Sequence, residues 1–169
     1  QPRSRGLGDV YKRQEDYRTF SKLNPPLRSE EDRLSIIEGI CDGTIDAISS
    51  DHTPQDQDAK RLPFNQAEFG GVGLETLLSL SLNLVKNKYI SVEKLLRLLT
   101  VNPAKILNLD YGMINEQSEA DISVFDLSKS WKINPESFFG KSKNSPFDGL
   151  LVEGKNIMTF VRGRLVYRL

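Results

Sequence analysis

The segment IDAISSDHTPQ, residues 45–55, constrains this chain most, because a buried-strand pattern there ends abruptly. Its apolar and small residues predict a short strand at 45–49 that is covered on both faces. Pro54 cannot donate to a sheet ladder, and it disfavours helical geometry at Thr53. Asp51 is therefore predicted to lie where a strand ends in a loop. In parallel α/β folds, functional sites are built at that edge of the sheet.

Composition and charge exclude several classes of function. The 169 residues are 38% hydrophobic and 27% charged, as in ordinary globular proteins. The 23 basic residues balance the 23 acidic ones, so no net positive charge indicates a nucleic-acid partner. No apolar run approaches the roughly 18 residues of a membrane span. The single cysteine, Cys41, cannot form an internal disulfide, and such cysteine usage is typical of the reducing cytoplasm, where we expect the protein to reside.

Helical patterns dominate the first two thirds of the chain. Ser29, followed by three acidic residues, predicts the start of a helix that Gly43 ends. Apolar spacing predicts further helices over residues 74–85, after Ser91 and from Pro103.

Strand patterns dominate the last third. Alternating apolar and polar residues predict strands at 121–125, 156–161 and 165–167. Gly154-Lys155 and residues 162–164 are predicted to be turns.

The first fourteen residues are interpreted as foreign to the protein. The sequence DVYKRQ, residues 9–14, is what the end of a common transposase sequencing adapter encodes in this frame. We therefore exclude residues 1–14 from the fold prediction; the alternative is a genuine basic N-terminal arm. If the segment derives from an adapter, the chain is expected to be a fragment that begins within a longer protein.

Several motifs in one order resemble those of a known family. They are NPPLR at 24–28, SDHTP at 50–54, GVGLET at 71–76, SPFDG at 145–149 and MTFVRGRLVY at 158–167. In this order, residues 15–169 resemble the C-terminal part of a dihydroorotase of the cyclic-amidohydrolase superfamily.

The resemblance implies an α/β fold in two parts. Residues 15–109 would be the last part of a metal-dependent-hydrolase (β/α)8 TIM barrel, and residues 110–169 the C-terminal strands of a small β-sandwich. A complete barrel takes roughly 250 residues, whereas this part offers only two candidate strands, at 45–49 and after residue 16. Open sheet edges and apolar faces would then be exposed. We expect residues 15–169 alone to aggregate or stay partly folded.

The resemblance also implies a zinc-dependent reaction. Opening or closing a cyclic amide needs an activated water, a polarised carbonyl and a proton for the leaving nitrogen. One or two Zn²⁺ ions would supply the first two, and Asp51 would be both a metal ligand and the general acid/base. The alternative for Asp51 is a strand-end carboxylate that caps the next turn. His52 is the only histidine, and since a zinc site takes several ligands, it is interpreted as a supporting or structural residue.

Four further residues are candidates for binding substrate. By resemblance Asn24 contacts it through the side-chain amide, and Phe69 and Gly70 lie where backbone groups face a pyrimidine ring. Gln55 departs from the family pattern, which has a histidine there that helps to bind the substrate carboxylate. Glutamine still donates hydrogen bonds but carries no charge. The structural alternative for Asn24 is a turn-forming residue before two prolines. For Phe69 and Gly70 it is a loop that leads into a helix.

Three functions stay open from the sequence. The first is a dihydroorotase, which interconverts L-dihydroorotate and N-carbamoyl-L-aspartate in pyrimidine biosynthesis; NPPLR and the SPFDG tail favour it. The second is a sister enzyme: dihydropyrimidinase, hydantoinase or allantoinase. The third is a non-catalytic homologue that serves as a structural partner. The expected partners are the small-molecule substrate, a second copy in a homodimer, or aspartate carbamoyltransferase. The chain alone is expected to be inactive, because one carboxylate does not hold a zinc pair.

Overall fold

A computed structural model describes residues 18–169. The segment interpreted as adapter-derived lies outside the described residues. Helices come first along the chain and a three-stranded sheet comes last. The helices are α1 (Glu30–Asp42), α2 (Gln57–Arg61), α3 (Leu77–Lys86), α4 (Val92–Leu99) and α5 (Val101–Ile106), and the strands are β1 (Ile122–Lys132), β2 (Leu151–Val161) and β3 (Arg164–Arg168). Short 3₁₀ turns occupy Thr19–Ser21, Leu74–Thr76 and Pro135–Ser137.

Helix α1 begins and ends where the sequence predicts. Ser29 Oγ accepts a hydrogen bond from Asp32 N–H at 3.2 Å, and Ser29 N–H donates to Asp32 Oδ2 at 3.1 Å, which makes a reciprocal capping box. The Ser29 hydroxyl also donates to Asp32 Oδ2, at 2.7 Å, and this bond together with that from Ser29 N–H lowers the pKa of Asp32 below its ordinary value. Gly43 ends the helix with φ at +91°, a left-handed conformation that costs glycine little.

A core of aliphatic side chains joins α1, α3 and α4. Its buried members are Ile37, Ile40, Leu82, Leu84, Ile90, Leu95 and Leu98. Ile45 and Ile48 pack against this cluster. The segment that leads to Asp51 is therefore held against the helices by its apolar side chains.

The prediction of a strand at 45–49 is wrong for this structure. The segment is not part of a sheet, and within residues 18–169 no strand pairs with it. Its backbone bonds to helices instead: Ile48 N–H donates to Leu98 O at 3.0 Å, and Ile45 N–H to Gly39 O at 2.9 Å. A strand is defined by a partner ladder, and apolar patterning alone does not supply one. The strand expected after residue 16 fails likewise, since its described part contains the turn Thr19–Ser21.

The C-terminal strands form an antiparallel sheet in the order β1-β2-β3, as the alternating pattern predicts. The strands are longer than predicted, and β1 pairs with β2 from Ile122↔Phe160 to Lys132↔Leu151. The predicted turn at 162–164 is confirmed in part, because β3 begins at Arg164.

The predicted turn at Gly154-Lys155 is wrong, because both residues lie inside β2. Gly154 is instead the point where the sheet meets α3: a Cβ there would lie 2.1 Å from Leu82 Cδ1. Its carbonyl accepts hydrogen bonds from Ser79 Oγ at 2.5 Å and from Trp131 Nε1 at 2.9 Å. Lys155 Nζ lies 3.5 Å from the centroid of the Trp131 ring system, within cation–π distance. Sheet and helix are thus joined closely at one glycine.

Among the helices of the described chain, none combines the length and apolar character needed to cross a membrane.

Candidate functional site

Three loops that carry the predicted site residues lie side by side. We call them the Asn24 loop (residues 22–28), the Asp51 loop (residues 50–55) and the Phe69 loop (residues 68–73). Gly70 N–H donates to Lys22 O at 3.1 Å, and Thr53 N–H donates to Gly71 O at 2.9 Å. The Phe69 loop therefore lies between the other two.

Gly70 permits this close approach. Its φ is +125°, and a Cβ there would lie 2.7 Å from Thr53 O. A side chain at this position would push the Asp51 loop away. Gly70 is needed for the packing of the loops, and its contact with substrate stays a prediction.

Asp51 has an unusual backbone conformation at the start of its loop. Its φ is +45°, in the left-handed region that Asp tolerates better than most side chains. Thr53 Oγ1 donates to Asp51 O at 3.1 Å, which tightens the turn. The carboxylate oxygen Oδ2 is buried. Such a conformation is typical of sites where a side chain must point in a set direction.

His52 links the Asp51 loop to the Phe69 loop. Its Nδ1 accepts a hydrogen bond from Gly73 N–H at 3.2 Å. A ring nitrogen that accepts carries no proton, so in the neutral imidazole the proton lies on Nε2. The bond agrees with the interpretation of His52 as a supporting residue.

Gln55 and Phe69, predicted separately, are brought together. Gln55 Nε2 donates to Phe69 O at 2.8 Å. An amide nitrogen has two N–H groups, so the second can still serve a ligand. The Phe69 ring is 48% exposed, and Lys22 Nζ lies 4.6 Å from its centroid.

Asn24 lies on the neighbouring loop with an exposed side chain. The peptide bond between Asn24 and Pro25 is cis. The amide of Asn24 is thus accessible to a ligand, on the loop that Gly70 contacts.

Asn144 is a site-supporting residue that the sequence analysis missed. It is fully buried, its Oδ1 accepts from Gln55 N–H at 3.2 Å, and its Nδ2 donates to Gly70 O at 3.4 Å. Its own carbonyl accepts from Val72 N–H at 3.2 Å. The available signal was its position directly before the SPFDG motif.

Lys60, on α2, was missed as well. It is fully buried, and its Nζ donates to Lys22 O at 3.1 Å and to Glu68 O at 2.8 Å. Burial, reinforced by the nearby Lys22 ammonium, lowers the pKa of Lys60 to about 8. Nothing in the neighbouring residues signals this role, because lysines in short polar helices are ordinarily exposed.

A small cavity adjoins the Asp51 loop and the Phe69 loop. Its volume is about 50 Å³, and it is lined by residues that include Ile48, Ser50, Gly73 and Phe147. Ligand pockets are usually several times larger, on the order of 300–1,000 Å³. A cavity of this size does not by itself hold a cyclic substrate.

Asp51 has the donor chemistry of a zinc ligand, since carboxylate oxygens bind Zn²⁺. Within residues 18–169, however, no group of three or more His, Cys, Asp or Glu side chains is placed to hold a metal ion. The described chain fits a zinc site only as the source of one ligand, and the zinc prediction stays a prediction.

The family profile described as "Amidohydrolase family" matches residues 13–166. The chain belongs to the amidohydrolase family.

Within that family, the chain is similar to curated dihydroorotases. The dihydroorotase of Desulforapulum autotrophicum is 48% identical over 153 residues, which are 90% of this chain and 36% of that protein. The dihydroorotase of Anaplasma phagocytophilum is 49% identical over 153 residues, or 90% of this chain and 34% of that protein. The chain spans about a third of the length of these relatives.

Among solved structures, the L-hydantoinase (dihydropyrimidinase) from Arthrobacter aurescens is similar with a TM-score of 0.88 and 32% identity. The match covers 96% of this chain and 37% of that one. The predicted α/β class is thereby confirmed in its coarse form: the chain has mixed helices and strands arranged as in an amidohydrolase.

Proposed function

We propose that the complete protein to which this chain contributes is a dihydroorotase. The observation that carries the proposal is the 48% identity with a dihydroorotase across nine tenths of the chain. The substrate would be the small molecule L-dihydroorotate, or N-carbamoyl-L-aspartate in the reverse direction.

In this reaction Asp51 would move the proton. Its carboxylate would take a proton from the attacking water and return it to the ring nitrogen as the amide bond breaks. The left-handed turn at Asp51 would hold the carboxylate at the start of its loop, facing the reacting carbonyl. Zn²⁺, when bound through Asp51 and histidines from outside residues 18–169, would supply an acidified water and a polarised carbonyl.

Substrate recognition would come from the neighbouring loops. Asn24 would donate its side-chain amide, and Gln55 would use the N–H that does not serve Phe69 O. Because glutamine is uncharged, we expect its contact with the substrate carboxylate to be weaker than one from a protonated histidine. Phe69 and Gly70 would present backbone groups to the ring.

The finer fold follows the same proposal. Residues 15–109 would be the last part of the TIM barrel, and residues 110–169 the C-terminal part of the β-sandwich. The segment at 45–49, which pairs with no strand in the described chain, would become a barrel strand beside strands from outside residues 18–169. Its apolar side chains, which already pack on the helices, support this assignment.

A sister activity is the second candidate. The similarity to an L-hydantoinase structure favours a hydantoinase or dihydropyrimidinase, although the sequence identity is lower, at 32% against 48%. A non-catalytic homologue would keep the fold and lack turnover. We place the protein in the cytoplasm, with a homodimer or a complex with aspartate carbamoyltransferase as the proposed assemblies.

One chimaera tests these alternatives. Residues 15–169 would replace the matching segment of the Desulforapulum autotrophicum dihydroorotase, and the purified chimaera would be assayed with dihydroorotate and with a hydantoin. Turnover of dihydroorotate alone supports the proposal, and turnover of the hydantoin alone supports the sister activity. A folded, zinc-loaded chimaera without either activity would contradict both enzymatic assignments for residues 15–169.

A further inference from the structure

Lys60 is the one described lysine with no exposed surface, and the proposed chemistry makes no use of it. A buried ammonium is costly unless its N–H groups are satisfied. Here two are directed at backbone carbonyls, those of Lys22 and Glu68. Lys60 is therefore held by specific hydrogen bonds, unlike a surface lysine whose ammonium group stays in solvent.

The two carbonyls belong to two neighbouring loops of the candidate site, the Asn24 loop and the Phe69 loop. Lys22 begins the loop that presents Asn24, and Glu68 begins the loop that presents Phe69 and Gly70. Lys60 therefore connects two loops with different proposed roles. The Asn24 loop would contact the substrate through a side chain, and the Phe69 loop would contact it through backbone groups.

Backbone hydrogen bonds also hold the Asn24 loop, the Phe69 loop and α2 together near Lys60. Lys22 O also accepts from Gly70 N–H at 3.1 Å, and Glu68 N–H donates to Ala59 O at 3.2 Å. Glu68 is thus held by α2 through both its N–H and its carbonyl. The remaining charged groups that act on Lys60 are the Lys22 ammonium, which disfavours its protonation, and the Glu68 carboxylate, which favours it.

We propose that Lys60 is a positioning residue that fixes the distance between Asn24 and the Phe69-Gly70 backbone, and so sets the affinity for the cyclic substrate. The inference rests on the proposed function, because it assigns those two loops to substrate binding. It differs from a purely structural role in one respect: losing Lys60 should weaken substrate binding more than it slows the chemical step.

The test uses Lys60→Met in the chimaera described above, because methionine matches the lysine side chain as far as Cε and removes every N–H donor. Arg61→Met is the matched control: it lies on the same helix and has a largely exposed side chain, with an ion pair to Asp58. We expect Lys60→Met to raise KM for dihydroorotate by about tenfold or more, the loss expected for hydrogen bonds to a charged donor. We expect kcat to change by less than about threefold, zinc content to stay the same, and Arg61→Met to behave like the unmodified chimaera.

Hydrogen–deuterium exchange gives a readout that does not depend on activity. In Lys60→Met, peptides covering residues 20–28 and 66–73 should exchange faster, whereas those covering β1 and β2 should not. If KM stayed the same while kcat and soluble yield fell by similar factors, Lys60 would be only a stabilising residue. Unchanged hydrogen exchange at both loops would overturn the proposal. An unmodified chimaera that leaves dihydroorotate intact counts against the proposed function, while the exchange data still decide the role of Lys60.

Discussion

The three-stranded sheet differs from the loop cluster, by which we mean the Asn24, Asp51 and Phe69 loops together, in how backbone N–H and C=O groups find hydrogen-bond partners. In the sheet, each strand pairs with the next strand along the chain through a ladder of backbone bonds. In the loop cluster, segments far apart in the sequence meet through isolated bonds, many of them made by buried polar side chains such as Lys60 and Asn144. A sheet tolerates the loss of one bond better than such a cluster, because neighbouring bonds in the ladder hold the register.

The largest effect we expect concerns the loop cluster and catalysis. Asp51→Asn removes the proton acceptor while nearly preserving shape, so kcat of the chimaera toward dihydroorotate should fall by about a thousandfold, within the range known for positioned acid–base groups. The measurement is steady-state kinetics, with Asp56→Asn on the same stretch of chain as control. A decrease of less than about tenfold would remove Asp51 from the proton-transfer role.

On the sheet side, the largest effect should come from the junction with α3. Gly154→Ala places a methyl group 2.1 Å from Leu82 Cδ1 at a φ of +89°, and we expect a loss of about 3 kcal/mol in the free energy of unfolding. Gly163→Ala is the matched control, since its φ is +74° and no atom lies within 4 Å of the added carbon. Urea unfolding should therefore separate backbone strain from crowding. Equal losses in the two variants would mean that the junction relaxes freely.

Lys60 makes the stability of the loop cluster depend on pH. Its pKa is about 8 in the folded protein, against 10.5 as the ordinary value, so between these values the unfolded chain binds more protons than the folded one. Stability should then rise with pH, by about 2 kcal/mol between pH 8 and pH 10. The contribution is unfavourable below pH 8 and disappears above the unfolded value. Comparing urea midpoints of the chimaera with those of its Lys60→Met variant isolates this contribution, and parallel pH profiles would contradict it.

Asn144 should give a smaller, local effect. Asn144→Ala leaves Gln55 N–H and Gly70 O without the partner they now share, and we expect a loss of about 1.5 kcal/mol. Hydrogen exchange at residues 55 and 70–72 should increase, with little change in β3. Asn87→Ala, at an exposed helix end, is the control. If exchange rose across the whole sheet as well, the two regions would be coupled more tightly than their separate hydrogen bonds indicate.

The same contrast explains which features were predictable from the sequence. Ser29 and Gly43 depend on neighbours close in the chain, so local patterns predicted both ends of the first helix. Alternation within each C-terminal segment predicted that strands form there but not how far they extend. Lys60 bonds to a carbonyl 38 residues away and Asn144 to an N–H 89 residues away, so no local pattern could signal either. The local sequence wrongly predicts a turn at Gly154, because the real constraint there, the approach of Leu82, is tertiary.

The site residues were predictable from the sequence only in part. Motif resemblance selected Asn24, Asp51, Gln55, Phe69 and Gly70, and the structure places all of them on adjoining loops. Their roles in binding and chemistry stay predictions, because those depend on groups beyond the described residues. The prediction of a strand at 45–49 was wrong for a related reason. The side chains there have the pattern of a buried strand, but a ladder of backbone hydrogen bonds needs a second segment.

The junction at Gly154 also gives the chain a built-in optical reporter. Trp131 is the sole tryptophan of the 169 residues. Its indole N–H contacts α3 through Ser79 Oγ, 3.2 Å away, as well as Gly154 O within the sheet. Any separation of the sheet from α3 would expose the indole to water and shift its emission to longer wavelength. In the 169-residue chain itself, the docking of its C-terminal strands can therefore be followed by intrinsic fluorescence, without a label.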